Sequence, residues 1–253
     1  MYNLEKSNYP YILSYLLQKI SLSISEIHLD TLHRETERER ERERERERMG
    51  IYYDHNESIY IVSTGEDVIK TTVTRSGDVA ANWVHDILRA NRHRLIVGLD
   101  IEWCPHGWHG TFGQNPPALL QFCVGRRCLV FQLLHCDYIP QALREFLSDG
   151  RFRFLGVDIE DDLLKLSANY GLVVQNWDDL RYLAAEATGR REMRQWGLQS
   201  LVREFMGVNM DKPRRVQLSN WGSYSLTEEQ IEYAALDAFT SFEVGRRLVT
   251  GYY

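Results

Sequence analysis

Several things are scarce in this chain of 253 residues. Its 4 cysteines are too few for a small disulfide-stapled scaffold, and none form a Cys-x2-Cys pair. With 6 prolines and 17 glycines it is neither collagen-like nor a flexible linker. No run reaches the roughly 18 apolar residues of a membrane span. The apolar patch at residues 11–17 is cut off by Gln18 and Lys19 and lacks a small-residue cleavage site, so secretion is not expected. Few cysteines and no secretory signal suit a reducing nuclear or cytoplasmic compartment. Excess positive charge is missing too. Against 30 Lys+Arg stand 36 Asp+Glu, a net charge of −6. That excludes coating nucleic acid by bulk charge, but not touching it locally through an enzyme site whose carboxylates hold metal.

What is present is a large apolar fraction, 43%, with 11% aromatics, ample for a core. One tract stands apart. Residues 37–48 alternate Glu and Arg, six of each, and end at Met49. Strict alternation of charge makes no apolar face, so the expected state is a solvated low-complexity tract. A repeating GA dinucleotide read in triplets encodes Glu-Arg repeatedly. Residues 1–48 are therefore expected to be a translated upstream leader, and residues 49–253 the working domain.

From Met49 the pattern reads as strands at 59–63 and 68–74, then a helix at 78–90 with Val79, Trp83, Ile87 and Ala90 on one stripe. A strand at 95–102 ends in acids, and a Gly-, Pro- and Trp-rich loop follows at 103–117. A hairpin is expected at 119–124 and 128–132, turning at Gly125-Arg126-Arg127. Helix 140–148, strand 152–157, a helix to about residue 169, a strand or link at Val173-Val174, and helices at 179–188 and 198–205 complete the alternation. After a polar, basic loop at 211–220, Thr227 and Gln230 form a capping box for a last helix running to about Val249. The order implies one α/β domain with a mixed sheet flanked by helices.

Three groups of acids carry the chemistry. Residues i and i+2 of a strand share a face, so Asp100 and Glu102 point together, continuing the row of Ile96 and Gly98, while Leu99 and Ile101 point away. Two adjacent carboxylates repel unless a proton or a cation lies between them. Next, Asp158, Glu160, Asp161 and Asp162 crowd a strand-to-helix junction, where acids also complement the helix dipole. Last, Tyr233 and Asp237 lie i,i+4 on the final helix, with Ala234 and Ala235 permitting close packing. An aspartate ten residues into a helix has poor propensity and gains nothing from the dipole, so it needs another reason to be there. Such carboxylates suit Mg²⁺ or Mn²⁺, and two such ions about 4 Å apart activate water for phosphodiester hydrolysis.

In these motifs the sequence resembles the DEDDy 3′–5′ exonucleases, and within them the Werner syndrome-like exonuclease domain of plant type. Leu99-Asp100-Ile101-Glu102-Trp103 looks like the first motif. Gly156-Val157-x-Ile159-Glu160-x-Asp162-x-x-Lys165-Leu166 looks like the second, and its spacing selects Asp162. Ser219-Asn220-Trp221, Leu226-Thr227 and Tyr233-Ala234-Ala235-Leu236-Asp237-Ala238 look like the run through the third. The resemblance implies a ribonuclease H-like (DnaQ-like exonuclease) fold over about residues 60–250. It also implies two divalent ions, Mg²⁺ or Mn²⁺. Asp100, Glu102 and Asp237 would hold the first, and Asp100 and Asp162 the second. Tyr233, helped by Glu102, would orient or deprotonate the attacking water. The substrate would be a nucleic-acid 3′ end, DNA or RNA, and the product a nucleoside 5′-monophosphate. Asp158 and Asp161 depart from the pattern, standing where glycine is usual. Two alternatives are a degenerate binding or scaffold protein, which should have lost one of these residues, and a ribonuclease D-like RNA-trimming enzyme, which shares them.

Other residues are set lower. Cys104, His106, His109, Cys123, Cys128, His135 and Cys136 are scattered over strands and a loop, and are expected to be buried thiols and loop histidines rather than zinc ligands. Arg126, Arg127, Arg151, Arg153, Arg190, Arg191, Arg194, Lys212, Arg214 and Arg215 are expected mostly at the surface, a few meeting phosphate. Trp103, Trp177, Trp196 and Trp221 read as packing residues, Trp103 also being a candidate, with Trp108, for substrate binding. Trp108, in the loop beside the acids, is the candidate to stack on a terminal base.

Overall fold

A computed structural model describes residues 50–90, 95–104 and 115–251. The leader at 1–48, Trp108, His106 and His109 lie outside the described residues.

Eight strands form one mixed sheet. In chain order they are β1 (Gly50–Asp54), β2 (Ile59–Thr64), β3 (Asp67–Thr74), β4 (Leu95–Trp103), β5 (Pro117–Val124), β6 (Arg127–Phe131), β7 (Phe152–Gly156) and β8 (Trp177–Asp179). Their order across the sheet is β1-β2-β3-β6-β5-β4-β7-β8. The β1–β2, β2–β3, β5–β6 and β4–β5 pairs are antiparallel, while β3–β6, β4–β7 and β7–β8 are parallel. Around the sheet lie α1 (Gly77–Ala90), α2 (Gln141–Ser148), α3 (Glu160–Tyr170), α4 (Leu180–Thr188), α5 (Leu198–Met206), the short α6 (Arg214–Gln217) and the long α7 (Glu228–Thr250). This is the α/β, mixed-sheet architecture expected from the sequence.

Strands β4 and β5 are neighbours in the interior of the sheet, and β5 is buried along its whole length, which explains its largely apolar run. Period-two alternation splits β4 between two cores. Val97, Leu99 and Ile101 join Trp83, Val84, Leu143 and Phe146 in the core under α1 and α2. There Phe122 packs edge-on against Phe146 and Phe154, with ring centroids 5.9 and 6.0 Å apart. Each such pair adds about 0.5–1.5 kcal/mol beyond burial. Ile96, Gly98, Asp100 and Glu102 take the other face, against α7. Gly98 lies so close to α7 that an added Cβ would come 2.1 Å from the Ala238 carbonyl oxygen.

Helix α7 begins with the expected capping box. The Thr227 hydroxyl accepts from the Gln230 amide, and the Gln230 side chain accepts from the Thr227 amide.

Some expectations need correction. Of the strand or link expected at Val173-Val174 the structure has the link, and the edge strand β8, Trp177–Asp179, follows it. The strand β1 had no counterpart in the sequence reading, and the basic loop at 211–220 contains α6. Cys123 and Cys128 are not separate thiols, because they oppose each other across the β5–β6 hairpin and pair as a disulfide.

Candidate active site

The strand end of β4 and the third turn of α7 meet at one point. Ligand oxygens of Asp100, Glu102 and Asp237 lie within 4.8 Å of one another, the single grouping of metal-ligating side chains found among the described residues. Asp100 and Glu102 reach it by strand alternation. Asp237 reaches it because Ala234, Ala235 and Ala238 are all fully buried, so the helix packs close to the sheet.

Burial sets the electrostatics. It pushes the Asp100 carboxyl well above the usual range, and the neighbouring charge of Asp237 adds to this. Glu102 is raised in the same way, by burial and then by Asp100 and Asp237. Asp237 is pushed up to about 6 by burial, while Lys212 and Tyr233 pull it back. One Asp237 oxygen, Oδ2, receives the Lys212 ammonium at 2.6 Å. The other, Oδ1, is buried with no hydrogen-bond partner. A buried, unpaired carboxylate oxygen is costly, and a hard cation is the ligand that its chemistry favours.

Tyr233 lies one turn before Asp237 on the same helix face, near enough to help hold that carboxyl's pKa down. Burial and the surrounding negative charges raise its pKa well above that of an ordinary phenol. The ring rests against buried Trp221, with centroids 5.6 Å apart, and Trp221 is fixed through its indole N–H to the Gln217 carbonyl.

Asp162 comes from the first turn of α3. It stands outside the three-carboxylate group but is near enough to act on the charge of Asp100 and Glu102. Burial pushes its carboxyl up to about 7, against the pull of Lys165. The Lys165 ammonium lies 4.1 Å from the ring centre of Trp103, tying the end of β4 to α3.

The two departures from the pattern lie beside Asp162, and the charges of both add to the rise of its pKa. Asp158 has a positive φ of 61°, the left-handed region in which glycine is favoured and aspartate tolerated. Its carboxylate turns to Arg181, 2.8 Å away, which also clasps buried Asp179. Asp161 is exposed at the surface of α3.

Among the basic residues, Arg126, Arg151, Arg153, Arg190 and Arg215 are paired with surface acids. Lys212 is the exception to the surface placement expected of most of them, lying beside Asp237 of the acid cluster. Gln121, opposite Asp100 in the β4–β5 register and fully buried, was also missed, because it sits inside an otherwise apolar run.

The sequence profile of the 3′–5′ exonuclease domain matches residues 74–250. The chain belongs to the 3′–5′ exonuclease family. Among its relatives, a 3′–5′ exonuclease of Arabidopsis thaliana is 36% identical over 162 residues, covering 64% of this chain and 55% of that one. A bifunctional 3′–5′ exonuclease/ATP-dependent helicase WRN of Mus musculus is 30% identical over 154 residues, 60% of this chain and 11% of that one. The chain thus aligns with about half, or much less, of the length of these relatives. Its fold is that of Escherichia coli RNase D, at a TM-score of 0.60 and 24% identity over 71% of this chain and 44% of that one. It is likewise that of the Aedes aegypti Nibbler EXO domain, at 0.59 and 21% over 72% and 89%. The ribonuclease H-like fold expected from the motifs is therefore present. No helix among the described residues is long and apolar enough to cross a membrane.

Proposed function

We propose that this exonuclease hydrolyses phosphodiester bonds at nucleic-acid 3′ ends, releasing nucleoside 5′-monophosphates, with two divalent ions, Mg²⁺ or Mn²⁺. The observation that carries the reading is the convergence of Asp100, Glu102 and Asp237 around a buried oxygen, Asp237 Oδ1, that has no partner. These three residues would hold one ion, and Asp100 with Asp162 the other. Bound divalent ions supply Lewis acidity, activating water and stabilising the leaving oxygen. Tyr233, kept as a neutral phenol by burial and by its acidic neighbours, orients the attacking water rather than deprotonating it. Glu102, beside it, accepts the proton that the water gives up. Trp103, braced by Lys165, and Trp108 are assigned to the substrate's terminal nucleotide.

The test is degradation of 3′-labelled single-stranded DNA and RNA by the full chain with Mg²⁺ or Mn²⁺. Metal charge stabilisation is worth several kcal/mol in the transition state, so Asp100→Ala and Asp237→Ala should each lower the rate by roughly 10²–10³ or more. Wild type and both variants equally inert on both substrates would replace this reading with a non-catalytic binding protein.

A further inference from the structure

Lys212 lies in the irregular segment between α5 and α6, yet its side chain is only 18% exposed. Its ammonium sits 2.6 Å from Asp237 Oδ2 and 5.1 Å from the ring centre of Tyr233. Its charge is also felt by Asp100 and Glu102. The ammonium is therefore paired with one member of a three-carboxylate group that the fold has gathered from two elements.

The backbone carrying it is anchored independently of those acids. The Met210 carbonyl accepts from the Gln199 side chain on α5, and Met210 Sδ meets the Thr240 hydroxyl on α7. On the other side, Pro213 opens α6 and accepts from the Val216 and Gln217 amides. The lysine thus hangs from a fixed stretch of chain on a flexible four-carbon stem, and can leave the cluster without the segment unfolding.

Nor does it complete the site. A structural ion pair in a buried position is expected to satisfy its partner. Here Asp237 Oδ1 remains buried and unpaired beside it. An ammonium brings one charge and hydrogen bonds, whereas carboxylates clustered this tightly favour a divalent ion that binds oxygen directly.

We infer that Lys212 is a tethered counter-ion that occupies the Asp100–Glu102–Asp237 cluster in the metal-free protein and is displaced by the divalent ion that binds there. The inference rests on the metal-dependent reading above and adds to it an internal competitor. Without metal the lysine holds the acids together against their repulsion. With metal its ammonium leaves for solvent or substrate.

Two measurements on the full chain test this. The first is calorimetric titration of Mn²⁺ into wild type and Lys212→Met. Removing the competitor should tighten binding, by roughly five- to a hundredfold if the coupling is of ordinary size. The second needs no variant. Acetylation by a lysine-selective reagent, read residue by residue by mass spectrometry, should find Lys212 protected in chelator and reactive in Mg²⁺. Exposed Lys70 serves as an unchanging reference. Unchanged or weaker Mn²⁺ binding by Lys212→Met, or protection of Lys212 that persists in Mg²⁺, overturns the inference. The outcomes also separate it from the nuclease reading. Hydrolysis with Lys212 shielded throughout removes the counter-ion role alone. Tighter Mn²⁺ binding and unmasking in a protein that degrades neither DNA nor RNA removes the nuclease reading and leaves the counter-ion.

Discussion

Asp158 shows how a single backbone angle decides what a sequence departure means. Glycine is favoured at a left-handed turn because it has no Cβ, and other residues pay about 1–2 kcal/mol there, aspartate less often. With φ at 61°, Asp158 keeps the turn between β7 and α3. Its side chain is 80% exposed and turned to Arg181, so its ion pair contributes little to stability. Asp158→Gly should therefore leave the melting temperature nearly unchanged, while Asp158→Ala should destabilise by about 1 kcal/mol. Chemical denaturation of the three proteins side by side measures this. Equal loss in both variants would mean that the contact with Arg181, not the backbone angle, matters. The same comparison bears on activity: with its charge directed at Arg181, Asp158 should not be needed for hydrolysis.

Among the elements, the contact between β4 and α7 makes the site, because it alone joins Asp100 and Glu102 to Asp237. Gly98 is the point of closest approach. A Cβ there would lie 2.1 Å from the Ala238 carbonyl oxygen and 2.5 Å from the Phe242 amide nitrogen, both backbone atoms that cannot turn aside. Gly98→Ala should push α7 off the sheet and separate the carboxylates. The expected result is an overpacking loss of about 1–3 kcal/mol or more, together with weaker Mn²⁺ binding. A variant with normal stability and normal Mn²⁺ affinity would show that the helix can shift without opening the cluster. These elements also mark what the sequence could reveal. Asp100 and Glu102 were legible because strand period places i and i+2 together. Asp237 was legible because a mid-helix aspartate demanded an explanation. Lys212 was not, because an irregular segment has no period to say which side chains turn inward. The edge strand β8 was hidden because its residues, Trp177, Asp178 and Asp179, look nothing like a strand, whereas the nearby Val173-Val174 does.

At the scale of the whole molecule, the raised carboxyl groups tie folding stability to pH. Asp162 is held at about 7 and Asp237 at about 6, against an ordinary value of 3.8. Asp100 and Glu102 are also raised. A carboxyl whose folded pKa is raised binds its proton more tightly in the folded state. The stability it lends is complete below about pH 4 and is lost as pH rises through the folded value. The metal-free protein should thus melt at a lower temperature at pH 8 than at pH 5.5, with most of the loss between about pH 5 and 7.5. Lys212 reduces the loss by neutralising part of the charge but does not reverse its sign. A divalent ion bound as proposed would act in the opposite direction, since it would bind the deprotonated carboxylates of the folded chain alone. At one hundred times its dissociation constant an ion adds about 2.7 kcal/mol. For a domain of this size that raises the melting temperature by roughly 5–10 °C. The gain should be large at pH 8 and small at pH 5.5, where protons already occupy the site. Thermal melts at both pH values, in chelator and in Mg²⁺, measure all four corners. A metal-free melting temperature that rises with pH, or a metal gain equal at both pH values, would mean that these carboxylates are not the groups that link folding to the ion.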